Sequence, residues 1–330
     1  MKQLPYVIVT IGDPAGIGPE ITIKSFIKEP SLLNKCHPVI VGDYSVLQCF
    51  LKKTKLKYCV TSEFLPENIL PKTLNIIDPA QTKNPGIYAS PGVNSGRASL
   101  AYINLALEII NKLKHNSNTK CSLVTAPVSK ELISGTGMIF NGHTEYLAEK
   151  TNTKTVAMLM ISEKYRVLLA TRHIPLINVA ENLTQELLIE QCSIAYKAMN
   201  DILKIKNPEI FVCGLNPHCG ENGKIGTEEK TIVVPAIKKM KAVGMNISGP
   251  MPSEYAFLRA DKNSLIVTLY HDQAMQPLRL MCGMKFVNAT CGLSFLRVSP
   301  AHGTAFDIAG RNRANPDSMI EAIKFAAAYN

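Results

Sequence analysis

The 330-residue chain is 46% hydrophobic and 19% charged with a formal net charge of +10, enough apolar content for a large core and, at this length, for two domains rather than one. No apolar run reaches the ~20 residues of a membrane span and no N-terminal segment joins a basic stretch to a long apolar one, so the chain reads as a cytoplasmic protein with no membrane partner. The lysines are spread out without interleaved aromatics, which argues against nucleic acid, and nine scattered cysteines without a C-x-x-C pair argue against a disulfide framework or a cysteine zinc site.

The first strand signal is Val7 to Ile11, followed by GDPAGIGPE (Gly12 to Glu20) and a helical pattern over Ile21 to Lys28. Strand followed by glycines and a helix suggests a phosphate loop, but the spacing matches neither G-x-G-x-x-G nor G-x-x-x-x-G-K-[ST]. Pro19 and Glu20 at the helix start remove an N–H and add a negative charge, which suits the helix and repels a phosphate. Next come a strand over Pro38 to Val41 and a helix over Tyr44 to Lys52. Asn84 to Gly96, rich in proline and glycine, reads as a long loop, and a helix over Ser99 to Lys112 leads into a strand over Cys121 to Ala126. This alternation predicts βαβ units and a parallel sheet covered on both faces. A second set of signals begins beyond Val128, so the expectation is two α/β lobes with a cleft between them.

FNGHTEYLAE then puts His143 and Thr144 where a loop becomes a helix, a place suited to a phosphate or carboxylate, although Thr144 would equally serve as a helix cap. Three later strand signals end alike: YRVLLATRH reaches His173, EIFVCGLNPH reaches His218 and SLIVTLYH reaches His271. Loops after parallel strands gather at one sheet edge, so three imidazoles remote in sequence can converge as ligands of Zn²⁺ or another borderline divalent ion. Read singly, each is also an ordinary loop histidine. Asp272 beside His271 is a candidate supporting carboxylate or proton acceptor, or a helix-capping residue. Arg279 and Arg297 sit among apolar residues and call for anionic partners, from the protein or from a ligand.

GDPAGIGPEI, VTAPVSKELI, NGHTEYLAE, GLNPHCGENGKIGTEE, YHDQAM and HGTAFDIAG occur in the order found in the 4-hydroxythreonine-4-phosphate dehydrogenase (PdxA) family, which this chain resembles over nearly its whole length. GDPAGIGPE and AHGTAFDIAGRNRANP are also similar, more distantly, to the end motifs of isopropylmalate and isocitrate dehydrogenases. The resemblance implies their two-lobed α/β/α fold with an active-site cleft between lobes. Residues 1–128 and 272–330 would form one lobe carrying the NAD motif, and residues 129–271 the other, with metal and dimer contacts. It implies metal ligands at His173, His218 and His271, one supplied across a homodimer interface, and substrate contacts at His143, Thr144, Arg279, Asn288 and Arg297. NAD would lie at His302, Gly303, Thr304 and Asp307; a carboxylate at 307 favours an unmodified ribose 2′-OH over the phosphate of NADP. Asp272 and Glu254 would be the catalytic carboxylates.

The implied reaction is NAD- and divalent-metal-dependent oxidation of 4-phosphooxy-L-threonine, a small phosphorylated hydroxy amino acid, on the way to pyridoxal 5′-phosphate. Zn²⁺ is the first choice of metal, with Mg²⁺, Co²⁺ or Mn²⁺ also acceptable. The chain departs from the family pattern at Arg279, where Lys is usual, at Glu254 and Tyr255, where Asp-Thr is usual, and at Ser294 and Ala301. These departures keep open a related dehydrogenase acting on 4-phosphoerythronate or 4-phosphothreonate.

Overall fold

The computed structural model describes residues 4–52, 54–82, 90–115 and 119–328. Its elements begin with β1 (Tyr6–Thr10), α1 (Gly18–Lys28), β2 (His37–Val41), α2 (Tyr44–Leu51), β3 (Tyr58–Thr61), β4 (Leu74–Ile77), α3 (Val93–Lys114), β5 (Cys121–Thr125), α4 (Lys130–Ser134) and α5 (His143–Lys150). They continue through β6 (Ala157–Ser162), β7 (Arg166–Leu169), α6 (Val179–Asn182), α7 (Gln185–Asp201), β8 (Glu209–Cys213), α8 (Val234–Ala242) and β9 (Ile247–Met251). The last are α9 (Ser253–Arg259), β10 (Ser264–Thr268), α10 (His271–Cys282), β11 (Phe286–Cys291), β12 (Leu296–Pro300) and α11 (Asp317–Ala328). The fold is α/β and divides into two compact units, Met1–Asn152 with Leu293–Asn330, and Thr153–Gly292.

In the first unit the strands run β3-β4-β2-β1-β5-β12, and every pairing is parallel. β1, β4, β5 and β12 are buried along their whole length. That is why β1 (YVIVT) and β4 (LNII) are mostly apolar, as strands covered on both faces require, whereas β12 (LRVSP) buries Arg297 and Ser299. β3 ends the row and alternates between exposed and half-buried residues. Helices α3 and α11 both pack against β1 and β5, and α1 packs against α2 and α11. The expected loop from Asn84 to Gly96 ends earlier than its composition suggests: residues 84–89 lie outside the described residues, and Val93 already opens α3.

The second unit has the order β11-β6-β7-β10-β8-β9. β7, β10, β8 and β9 are parallel to one another, whereas β6 runs antiparallel to both β7 and β11. The second unit's sheet is therefore mixed, whereas that of the first is parallel as expected. Between Ser162 and Arg166 the chain has only a tight turn, closed by Ser162 N–H donating to Tyr165 O at 2.9 Å, and a parallel pair needs a crossover of a dozen or more residues.

The division between units also differs from the boundaries expected at 128/129 and 271/272. α4 packs against α3, which draws the segment up to Asn152 into the first unit. Gly96 permits that approach, since a Cβ there would lie 2.2 Å from the Leu132 carbonyl oxygen. α10 packs against β7 and β10, and β11 pairs with β6, so both belong to the second unit. Among the described residues no helix is long and apolar enough to cross a membrane, and the cysteines are free thiols.

Candidate active site

The N-terminal glycine turn is a structural clasp. Gly12 has φ +71°, and a Cβ on it would lie 2.3 Å from the Pro127 carbonyl oxygen. Ile17 donates its N–H to the Thr304 carbonyl at 2.9 Å. Glu20 is fully buried and accepts from Lys24 Nζ at 2.6 Å and from the Ala314 N–H at 2.8 Å. Lys24 donates in turn to the carbonyls of Asn312 and Ala314. The charge at the helix start thus favours the macrodipole while fastening the segment that follows His302, Gly303 and Thr304. Asp13 is buried as well; burial pushes its carboxyl up, and the Ala15 N–H and the Ser95 hydroxyl partly restore it.

The first unit also holds a cluster of side chains suited to an anion. His143 and Thr144 open α5. Arg297, on the buried strand β12, donates from Nε and Nη2 to the Thr125 hydroxyl at 3.1 and 2.6 Å. Burial lowers the Arg297 guanidinium to about 10 while the Glu145 charge opposes the shift, so it stays charged at neutral pH. The His143 imidazole is pushed well below its ordinary value by burial, then by the charges of Arg297 and Lys130. It is neutral, and its buried Nε2 has no hydrogen-bond partner. An unpartnered buried ring nitrogen beside two cations and a helix start fits a phosphate or carboxylate. Lys130 and Thr125 are part of this arrangement and were not singled out from the sequence; the run from Thr125 to Lys130 within VTAPVSKELI carries both.

In the second unit, β7, β10 and β8 are adjacent and parallel, so the chain after each leaves the sheet at the same edge. The imidazoles of His173 and His271 lie with ring centroids 5.3 Å apart. Thr171 secures this approach by donating its hydroxyl to the Leu269 carbonyl at 2.6 Å. His271 Nδ1 is 2.8 Å from Asp272 Oδ1. A carboxylate only accepts, so Nδ1 carries the proton of this bond, the arrangement in which Nε2 is the nitrogen left for a metal. Gln273, buried and not picked out from the sequence, accepts the Leu269 N–H at 2.7 Å and donates to Gly214 O at 2.8 Å, tying the ends of β10 and β8 together.

His218 stands apart from this pair. Its side chain is 76% exposed and its Nδ1 is 3.4 Å from Glu221 Oε1. No group of three potential metal-ligating side chains assembles among the described residues. The predicted triad is therefore present as a converged pair and one imidazole that faces solvent. His218 begins a run of five left-handed residues, His218, Cys219, Gly220, Glu221 and Asn222, at a cost of roughly 1–2 kcal/mol for each that is not glycine. The pair still fits a divalent ion through its chemistry: two neutral-capable imidazoles, one of them oriented by a carboxylate.

The remaining expected residues are dispersed. Asn288, on β11, has a buried Oδ1 with no hydrogen-bond partner, which suits a polar ligand. Arg279 lies in the last turn of α10, where it donates to Gly283 O at 2.9 Å and stacks 4.6 Å above the Phe286 ring. Glu254 is exposed in the first turn of α9. Cys213 is pushed up to about 12, chiefly by burial and further by Cys219 and Glu254, which sets Glu254 close to the end of β8. His302 Nδ1 lies 3.0 Å from Gly303 O. Nothing lies within 4 Å of a Cβ position on Gly303, and the Asp307 carboxylate is exposed. Open space at Gly303 and an exposed, accepting carboxylate at Asp307 are each compatible with a ribose.

Comparison with known proteins gives a consistent picture. The family model described as pyridoxal phosphate biosynthetic protein PdxA matches residues 34–326. A protein of Oceanobacillus iheyensis, provisionally named D-threonate 4-phosphate dehydrogenase, is 36% identical, with 98% of this chain and 97% of that protein covered. The 4-hydroxythreonine-4-phosphate dehydrogenase of a Sulfurihydrogenibium species is 35% identical, with 96% of each chain covered. The crystal structure of 4-hydroxythreonine-4-phosphate dehydrogenase from Klebsiella pneumoniae superposes with a TM-score of 0.86 at 33% identity, covering 98% of this chain and 99% of that one.

Proposed function

The chain belongs to the PdxA family of pyridoxal phosphate biosynthetic proteins, and on that premise we propose that it is a 4-hydroxythreonine-4-phosphate dehydrogenase. The substrate is 4-phosphooxy-L-threonine. The product, 2-amino-3-oxo-4-(phosphooxy)butanoate, is a β-keto acid that loses CO₂ to give 3-amino-2-oxopropyl phosphate. The observation that carries the reading is the first unit's buried cluster: a neutral His143 with an unpartnered Nε2 near a charged, buried Arg297. Such a cluster suits a phosphate, because it joins a helix start to a guanidinium.

In this reading His143, Thr144, Arg297, Arg279 and Asn288 bind the substrate, and Lys130 adds positive charge. Arg297 stays charged and His143 donates from Nε2, so both favour a phosphate dianion. His173, His218 and His271 hold a divalent ion, which when bound supplies Lewis acidity at the substrate hydroxyl. Asp272 keeps His271 in the tautomer whose Nε2 is available. Asp272 and Glu254 are the carboxylates that handle the proton. His302, Gly303, Thr304 and Asp307 hold NAD, which when bound supplies the hydride acceptor. Asp307 accepts from a ribose hydroxyl and disfavours NADP. We include a homodimer in the proposal: the solvent-facing His218, and the exposed Leu176, Ile177, Leu258 and Leu280 of the second unit, are what a chain completed by a second copy would present.

The test is NADH formation from 4-phosphooxy-L-threonine and NAD, before and after chelation and with Zn²⁺ or Co²⁺ restored. Turnover that chelation abolishes and metal restores is expected, with His173→Ala and His271→Ala each lowering kcat/KM by roughly a hundredfold or more. Undiminished turnover in both variants would refute the metal assignment. A second reading, D-threonate 4-phosphate or 4-phosphoerythronate as substrate, is supported by the similarity to the Oceanobacillus protein. The same assay across those substrates decides between the two.

A further inference from the structure

We infer that Glu229 is a positioning residue for His218: its buried carboxylate pins the left-handed turn that holds this imidazole in solvent. The carboxylate is 4% exposed. Its Oε1 accepts the N–H groups of both Leu215 and Asn216, at 2.8 and 2.7 Å, and its Oε2 accepts Asn216 Nδ2 at 2.9 Å. The same oxygen reaches the middle of the turn, where a Cβ on Gly220 would lie 2.8 Å from Oε2. One side chain therefore fixes the entry to the turn at Leu215 and Asn216 and its floor at Gly220.

The turn needs such a fixture. Five successive left-handed residues persist only where their surroundings over-determine them. The turn's own bonds are few: Cys219 N–H to Asn216 O at 3.1 Å, Lys224 N–H to Glu221 O at 3.3 Å and Ile225 N–H to Gly220 O at 3.0 Å, with Glu228 Oε2 also accepting from Asn216 Nδ2 at 2.8 Å. Glu229 is well placed for the task because it opens a single π-helical turn, Glu229–Val233, that leads directly into α8. Such insertions recur at functional sites, where the extra residue re-aims a side chain. The chemistry is also specific to a carboxylate. Three N–H donors converge on an acceptor-only group, so an amide would turn its NH₂ against one of them.

The inference rests on the metal-ligand role proposed for His218, and the experiment separates the two. Backbone hydrogen exchange of the metal-free protein is compared with Glu229→Gln and Glu229→Ala, together with Zn²⁺ affinity in each and in the His218→Ala background. Exchange across 215–225 should accelerate at least tenfold in both variants while the strands β8 and β10 keep their protection. Zn²⁺ affinity should fall by about 10–100-fold, and the same substitutions should add nothing once His218 is Ala. Unchanged exchange in the turn, or an equal loss of affinity in the His218→Ala background, would overturn the inference. If the parent protein binds no Zn²⁺, the proposed function loses its metal, and the exchange of the turn with the His218 ring NMR signals decides whether Glu229 holds it.

Discussion

His143 shows how burial sets the chemistry of a single side chain. Its imidazole is depressed below the ordinary 6.5 by burial and two nearby cations, so the folded protein resists a proton that the unfolded chain accepts. The stability this gives is fully present above pH 6.5 and is lost as pH falls from there toward the folded value. Urea unfolding across acidic to neutral pH should therefore show a decline that His143→Asn reduces; an identical decline in the variant would mean another group controls it. His173, His271 and Asp272 were legible in the sequence because strand-end chemistry marks them. Glu229 and Gln273 were not, and of Glu20 only its charge at the helix start was, not its hold on residues 312–314. Their partners are mostly backbone N–H and C=O groups, which every residue has and no motif records.

The elements were legible where one period ruled. The buried parallel strands of the first unit announce themselves as apolar runs, and α1 and α2 begin or end within a few residues of their expected bounds. β6, antiparallel to both β7 and β11, did not announce its direction, because a buried strand looks alike either way and the short β6–β7 turn decides. Close approach between elements was equally silent. Gly96 is the point where α3 meets α4, and a methyl group there would press on the backbone at Leu132 and Ile133. Gly96→Ala should lose about 1–2 kcal/mol, overpacking offset by the helix preference of alanine, and should raise KM by displacing Lys130. Gly92→Ala, with nothing within 4 Å of its Cβ position, should stay within about 0.5 kcal/mol of the parent. Equal stability in the two variants, measured by denaturant midpoint, would show that α4 yields freely.

For the whole molecule the α/β class was legible from the alternation of strand and helix signals, while the division into units was not, since packing of α4, α10 and β11 decides it rather than sequence position. The exposed leucines and isoleucine of the second unit bear on assembly. Sedimentation should show a dimer that Ile177→Asp combined with Leu280→Asp converts to monomer with reduced turnover; a monomeric, active parent would remove the dimer from the proposal. The clasp of Glu20 and Lys24 on residues 312–314 matters also for how the protein is made. The first unit is discontinuous, and its β12 and α11 follow the whole of the second unit in the chain. During synthesis the contiguous second unit is complete before the first, and domains fold as units as they emerge. The early strands must wait, with β5 unpaired on the side that β12 will cover and Glu20 without the Ala314 N–H it will accept. The segment from His302 to Asp307 is therefore set in the same late step that closes the first unit, so a nascent chain would gain the nucleotide site proposed there only when it has finished folding.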